Sequence, residues 1–252
     1  MTSNNNILEI THLEKNYQDT IDEIKAIEDF SFKVEKGKFI SIVGPSGCGK
    51  STLLSILAKL EDKSSGEITF NKDNIVLGYM LQKDSLFPWL TILDNCLLGL
   101  EIKGIKTEEN ISYVNHLLDS YGLTEFKDKY PSSLSGGMRQ RVALIRTLAI
   151  HPDILLLDEP FSALDAMTRV ALADDLYKMI KKEGKTVLMV THDIAEAVSL
   201  SDIVIVLTKR PATLKSIYEI NFEERGTPFE NRKKKEFSIY YDKIWRDLDV
   251  HI

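Results

Sequence analysis

Gly44-Pro45-Ser46-Gly47-Cys48-Gly49-Lys50-Ser51-Thr52 satisfies G-x-x-x-x-G-K-[ST], the pattern of a phosphate-binding loop. Before it, Phe39-Ile40-Ser41-Ile42-Val43 is rich in β-branched residues and predicts a buried strand. After it, Ser51 to Ala58 carries apolar residues at helical spacing and predicts a helix. The glycines let the main chain approach a ligand closely. The loop N–H groups then form an anion nest, and the helix N-terminus adds its partial positive charge. Lys50 is expected to reach the β- and γ-phosphates of a nucleotide, and the Ser51 hydroxyl to ligate Mg²⁺. A plain glycine-rich turn is the bland reading; the Lys-Ser pair after the last glycine weighs against it.

The bulk composition bounds the class. The chain has 252 residues, 43% hydrophobic and 28% charged, which suits a globular protein with a full core. A net charge of −6 argues against a nucleic-acid partner. No apolar run is long enough to span a bilayer, and Met1 to Asn6 lacks the build of a signal peptide, so a cytoplasmic location is expected. Cys48 and Cys96 have no metal-ligand spacing, and a disulfide through the phosphate loop is not expected.

Further strands are predicted at Ile7–Leu13 and Phe30–Val34, in a small N-terminal sheet, and at Ile75–Met80, Ile154–Asp158, Val187–Val190 and Ile203–Leu207. The short β-branched runs suit a mostly parallel sheet covered on both faces. From Ile92 to Leu148 the pattern is helical, Asp165 to Lys182 predicts another amphipathic helix, and Ile239 to Leu248 a C-terminal one. Lys233-Lys234-Lys235 reads as a solvated helix face.

Three further groups carry chemistry. Ile154-Leu155-Leu156-Leu157 ends in Asp158-Glu159. An acid at a parallel strand's C-terminal end can reach Mg²⁺, which suits Asp158, while Glu159 is placed to accept a proton from an attacking water. Paired acids can instead cap the next helix. His192 ends the next strand and is suited to donate to a γ-phosphate, although a lone histidine reads as structural. Ser135-Gly136-Gly137 opens a helix predicted from Met138 to Ala149, giving a second anion site.

In this order the motifs resemble the ATP-binding cassette (ABC) family across nearly the whole chain. Leu134-Ser135-Gly136-Gly137-Met138-Arg139-Gln140-Arg141 is similar to its signature, Ile154 to Pro160 to its Walker B strand with the following glutamate, Ser162-Ala163-Leu164-Asp165 to its D-loop, and His192 to its switch histidine. Gln82 matches the Q-loop glutamine, and Tyr17 the aromatic that stacks on adenine. The resemblance implies an α/β fold: a P-loop, mostly parallel sheet flanked by helices, a small N-terminal antiparallel β subdomain and an α-helical signature subdomain. It implies a single ATPase domain over 1–252, with the helical subdomain at about 86–150 and a helical extension at about 222–252. ATP with Mg²⁺ held by Ser51, Gln82 and Asp158 is implied, as is a homodimer burying two ATP molecules, each phosphate loop facing the partner's signature.

Leu86-Phe87-Pro88-Trp89-Leu90 through Asn95, and Ser201 to Pro211, are similar to ATP-binding subunits of the nitrate/sulfonate/taurine importer family. That likeness implies a peripheral protein on the cytoplasmic face of the membrane. It would serve integral permease subunits fed by a substrate-binding protein, with Leu86, Phe87, Pro88 and Trp89 at the permease contact. Packing of that loop into its own core is the competing reading, and a soluble non-transport ABC ATPase the competing function.

Overall fold

Five consecutive buried residues in each of β3 (Phe39–Val43), β6 (Ile154–Asp158) and β7 (Thr186–Val190) set the architecture, because a strand hidden on both faces needs cover on both. In the computed structural model, which describes residues 5–18, 23–162 and 164–248, these strands form the centre of a six-stranded sheet. Its order is β5 (Leu77–Met80), β6, β7, β3, β8 (Ile203–Leu207), β9 (Leu214–Glu219). All neighbours are parallel except β9, which runs antiparallel to β8. Alternate residues serve opposite cores: Leu155 and Leu157 of β6 pack with the helices, while Ile154 and Leu156 pack towards the N-terminal sheet. Truncating one such fully buried leucine to alanine costs ~2–5 kcal/mol.

The second sheet is antiparallel, in the order β2 (Glu23–Glu35), β1 (Asn6–Gln18), β4 (Ser65–Phe70). β1 and β2 run well beyond the strands expected at 7–13 and 30–34. Their pairing is interrupted by irregularities in register, and His12 and Asp29 both have φ of 49°. These break the alternation on which the shorter reading relied. β4 went unpredicted because it is short and only half-buried, with Ile68 and Phe70 alone packing apolar side chains on the core. β5 begins two residues later than expected: the Asp153 carboxylate accepts from Val76 N at 2.8 Å, and Val76 O accepts from Asp153 N at 2.8 Å.

The helical stretch comprises α2 (Ile92–Ile102), α3 (Glu108–Ser120) and α4 (Gly136–Ala149) after α1 (Lys50–Leu57). Leu100, Leu117 and Leu144 share one continuous core with Leu157 and Met189 of the sheet. Then come α5 (Ala166–Glu183), α6 (Ile194–Leu200), α7 (Pro228–Asn231) and α8 (Lys235–Asp247). α8 closes the far side, with Ile244 fully buried against α6 and β8 residues. No helix among the described residues is long and apolar enough to cross a membrane. Cys48 and Cys96 are both buried and free.

Candidate functional site: a phosphate-loop cleft

β3 delivers the chain to the loop and α1 leaves it, as the strand–loop–helix reading requires. Two glycines are indispensable. Gly49 has φ of 127°, and a Cβ there would stand 2.9 Å from Ala26 O; Gly47 has φ of 71°. Gly49 is the N-cap of α1 and no side chain caps that end, so its first N–H groups are not taken by a capping residue. The Lys50 ammonium donates to Gly44 O at 2.8 Å and to Pro45 O at 2.9 Å. An ammonium has three donors, so one remains for an anion laid in the loop. This uncapped, cation-bearing cradle fits a polyphosphate.

A cleft of about 510 Å³ opens over the loop. Ser46, Gly47, Gly49, Lys50, Ser51 and Thr52 line its floor. Tyr17, Gln82, Glu159 and His192 line its walls. Gly44 and Cys48 are buried behind the loop: a Cβ on Gly44 would lie 3.0 Å from Cys48 Sγ. Pro45 borders a separate hollow on the far side of the loop. Burial raises the Cys48 thiol above its ordinary value.

The acids at the end of β6 part company. Asp158 is buried, and Ser51 Oγ donates to its Oδ1 at 3.0 Å. Burial pushes its carboxyl up, and the Ser51 hydrogen bond works in the opposite direction. A hydroxyl and a buried carboxylate oxygen in contact, next to the loop, form a hard-oxygen donor pair that fits Mg²⁺. Glu159 points into the cleft. Gln82 Nε2 donates to its Oε2 at 2.9 Å, and His192 Nδ1 lies 3.1 Å from its Oε1. Its backbone has φ of 46° and is fastened by Glu159 N to Val190 O at 2.8 Å. The strained residue is therefore pinned to the end of β7, the strand that also leads to His192. Gln82, expected beside the cation, has its amide nitrogen on Glu159.

Tyr17 is partly exposed, with the Lys15 ammonium 4.6 Å from its ring centroid. Lys15 is itself held by Glu61 at 2.7 Å and Asp62 O at 2.7 Å. Ala26 and Arg210, which the sequence reading did not select, also line the cleft.

The Ser135-Gly136-Gly137 turn lies elsewhere. α4 begins at Gly136, two residues earlier than expected, with Ser135 as N-cap accepting from Met138 N at 3.3 Å. None of the three residues lines the cleft. A Cβ on Gly137 would meet Thr168 Cγ2 at 3.0 Å, so this turn packs on the start of α5. There Asp165 is the N-cap, accepting from Met167 N at 3.1 Å and Thr168 N at 3.0 Å. Ala163 lies outside the described residues. α4 is tied to the residue after Glu159 through Gln140, whose Nε2 donates to Pro160 O at 2.9 Å.

The Leu86–Leu90 loop folds over Asn95, a fully buried residue that sequence reasoning passed over. Phe87 N donates to Asn95 Oδ1 at 2.8 Å, and Asn95 Nδ2 donates to Phe87 O at 3.1 Å, Leu90 O at 3.2 Å and Thr91 O at 2.9 Å. Arg139 holds Asp84 at 2.9 Å, and Arg146 donates to Asp84 O and Ser85 O, both at 2.8 Å. Trp89 is 69% exposed and Phe87 36%, their rings 5.3 Å apart. Leu86, in the same loop, is half-buried and packs against the main core.

A family profile described as "ABC transporter" matches residues 27–162. The chain belongs to the ABC transporter family. It is 44% identical over 248 residues to the "Uncharacterized ABC transporter ATP-binding protein YtlC" of Bacillus subtilis, covering 96% of this chain and 95% of that one. It is 39% identical over 219 residues to the "Taurine import ATP-binding protein TauB" of Roseobacter denitrificans, covering 85% and 82%. A solved dimeric structure of the ATP-binding cassette MJ0796, in a post-hydrolysis state bound to ADP and Pi, matches with a TM-score of 0.75 and 30% identity, over 85% of this chain and 99% of that chain. The expected α/β cassette fold is borne out, and as an ABC transporter ATP-binding cassette the chain is an ATPase.

Proposed function

We propose that this cassette is the ATP-hydrolysing subunit of an importer of the nitrate/sulfonate/taurine type, working as a homodimer on the cytoplasmic face of a membrane beneath separate permease subunits. A substrate-binding protein delivers the solute to that permease. The observation that carries the reading is the grip on Glu159, held by Gln82 and His192 over an uncapped phosphate loop.

In this reading the loop N–H groups and Lys50 hold the phosphates, and Tyr17 supports the base. Ser51 and Asp158 hold Mg²⁺, with Gln82 at its edge; the ion neutralises phosphate charge when bound. Glu159 orients and deprotonates the attacking water, and His192, touching Glu159, is positioned to donate to the γ-phosphate. The signature turn, absent from the cleft of its own chain, covers the nucleotide of the second copy. The 252 residues act as one nucleotide-binding domain, with 86–150 its helical part and 222–252 an extension. The exposed Phe87-Pro88-Trp89 knuckle docks on the permease; similarity to a taurine-import subunit supports that partner class.

The test is affinity purification of the tagged chain from detergent-solubilised membranes. Co-isolation of a polytopic membrane protein, released when Phe87 and Trp89 are both replaced by alanine, is expected. Recovery of the chain without any membrane protein contradicts the importer reading and favours a soluble ABC ATPase.

A further inference from the structure

Arg210 lines the nucleotide cleft, and neither the phosphate-loop pattern nor the signature accounts for it. It stands in the short connection between β8 and β9, and this connection is built onto the cleft wall. Ala212 N donates to Ala26 O at 2.9 Å and Glu28 N donates to Ala212 O at 3.0 Å, so the connection is stitched into β2. Thr208 closes it from within: its hydroxyl donates to Pro211 O at 3.0 Å and accepts from Thr213 N at 2.9 Å. Ala212 also abuts the phosphate loop, its Cβ 3.5 Å from where a side chain on Gly49 would begin. A backbone fixed at so many points need not be ordered on binding, which leaves only the rotamers of the arginine itself to be fixed.

Among the described residues Arg210 makes no hydrogen bond and no ion pair. A guanidinium keeps its charge and offers planar donors, suited both to hydrogen bonding and to stacking on a π-face. Its neighbours decide which end of a nucleotide it serves. Ala26, to which its connection is bonded, lies on β2, and β2 pairs with β1 at Tyr17. Tyr17, Ala26 and Arg210 therefore line the cleft from one stitched unit, β1, β2 and the β8–β9 connection, whereas Glu159 and His192 come from the ends of β6 and β7.

We infer that Arg210 is a nucleotide-binding residue that holds the base-and-ribose half of ATP, as the positively charged counterpart of Tyr17. The inference rests on the ATPase reading above. It deepens that reading by dividing the cleft between a phosphate end run by Lys50 and a nucleoside end run by Tyr17 and Arg210.

Calorimetric titration of the full chain in EDTA, where hydrolysis is suppressed, separates the two ends. ATP and inorganic tripolyphosphate are the probes, with Lys50→Ala as the phosphate-end control. Arg210→Ala is expected to weaken ATP about tenfold, the scale of losing a hydrogen bond to a charged group, and to leave tripolyphosphate within about twofold. Arg210 is exposed and has no partner among the described residues, so its replacement should not move the unfolding midpoint. An unchanged ATP affinity overturns the inference, and so does an equal weakening of ATP and tripolyphosphate, which would put Arg210 on the phosphates. Failure of the wild-type chain to bind ATP would instead sink the ATPase reading. Loss of ATP binding in Lys50→Ala with none in Arg210→Ala leaves that reading standing and removes only this one.

Discussion

Two helices of this cassette start at glycine-rich turns, and they are furnished very differently. α1 starts at Gly49 with no side-chain cap, inside a cleft that also holds Lys50, Ser51, Gln82, Glu159 and His192. α4 starts at Ser135, which caps its own helix, and none of its first residues enters that cleft. Both ends have the dipole and the N–H groups that favour an anion. Around the α1 start stand a cation with a spare donor, a buried acid and an oriented carboxylate, whereas the cation in the first turn of α4, Arg139, is engaged by Asp84 and Leu134 O. The α4 end faces outward with exposed Ser135, beside the α5 start where Met167 is 85% exposed. The chain thus carries one furnished half-site and one sparser half-site, and a second copy can supply each with what it lacks.

The contrast is broken most severely at the furnished end. Lys50→Ala removes the loop's own cation, and hydrolysis is expected to fall by ~10²-fold or more, with ATP affinity falling alongside. Normal turnover in a phosphate-release assay would take the loop out of the mechanism. At the sparser end, Ser135→Arg should abolish hydrolysis by the pure variant while ATP binding by the single chain stays within a few-fold, since Ser135 does not line its own cleft. Mixing Ser135→Arg with Lys50→Ala subunits should restore part of the activity, because one of the two composite sites is then intact. Full activity of pure Ser135→Arg would mean that the α4 end covers no nucleotide.

A smaller effect belongs to the support of the furnished end. Glu196 is 3% exposed, and its Oε2 accepts from Thr191 Oγ1 at 2.7 Å, beside His192. Burial pushes its carboxyl up to about 7, with the Thr191 hydrogen bond opposing. The folded state then holds this proton more tightly than the unfolded state. Its contribution to stability is present below the ordinary value of 4.5 and is lost as pH rises towards 7. Glu196→Gln should therefore flatten the fall in stability between pH 5 and pH 8 by on the order of 2–3 kcal/mol. Urea unfolding at the two pH values measures it, and parallel wild-type and variant slopes would contradict it.

The mildest change for the isolated chain lies outside both ends. Phe87→Ala and Trp89→Ala should leave its ATPase within about twofold, since the knuckle is shaped by Asn95 through backbone bonds. Permease affinity should drop by ~2 kcal/mol, a hot-spot loss, in a reconstituted binding assay. Unfolding of the isolated chain would show that the aromatics are core after all.

The furnished end was legible in the sequence because its chemistry is local: Gly47 to Ser51 sit on one turn, and Asp158 and Glu159 are adjacent on one strand. Long-range partners were not. Asn95 reads as one polar residue in a helix until the loop at 86–90 folds over it, and Arg210 enters the cleft only through the pairing of Ala212 with Ala26. β4, whose inward side chains are only half-buried, and α6, only seven residues long, left too weak a pattern to find.

The half-site account stands or falls on the mass of the ATP-bound Glu159→Gln variant, in which the nucleotide is held but not consumed. Size-exclusion chromatography with light scattering should give about 57 kDa in saturating ATP, twice the 28.6 kDa chain, and 28.6 kDa without it. Adding Ser135→Arg to the same variant should return it to the monomer. A Glu159→Gln chain that binds ATP and remains at 28.6 kDa, or a double variant that dimerises as well as the single one, would contradict the completion of each half-site by a second copy.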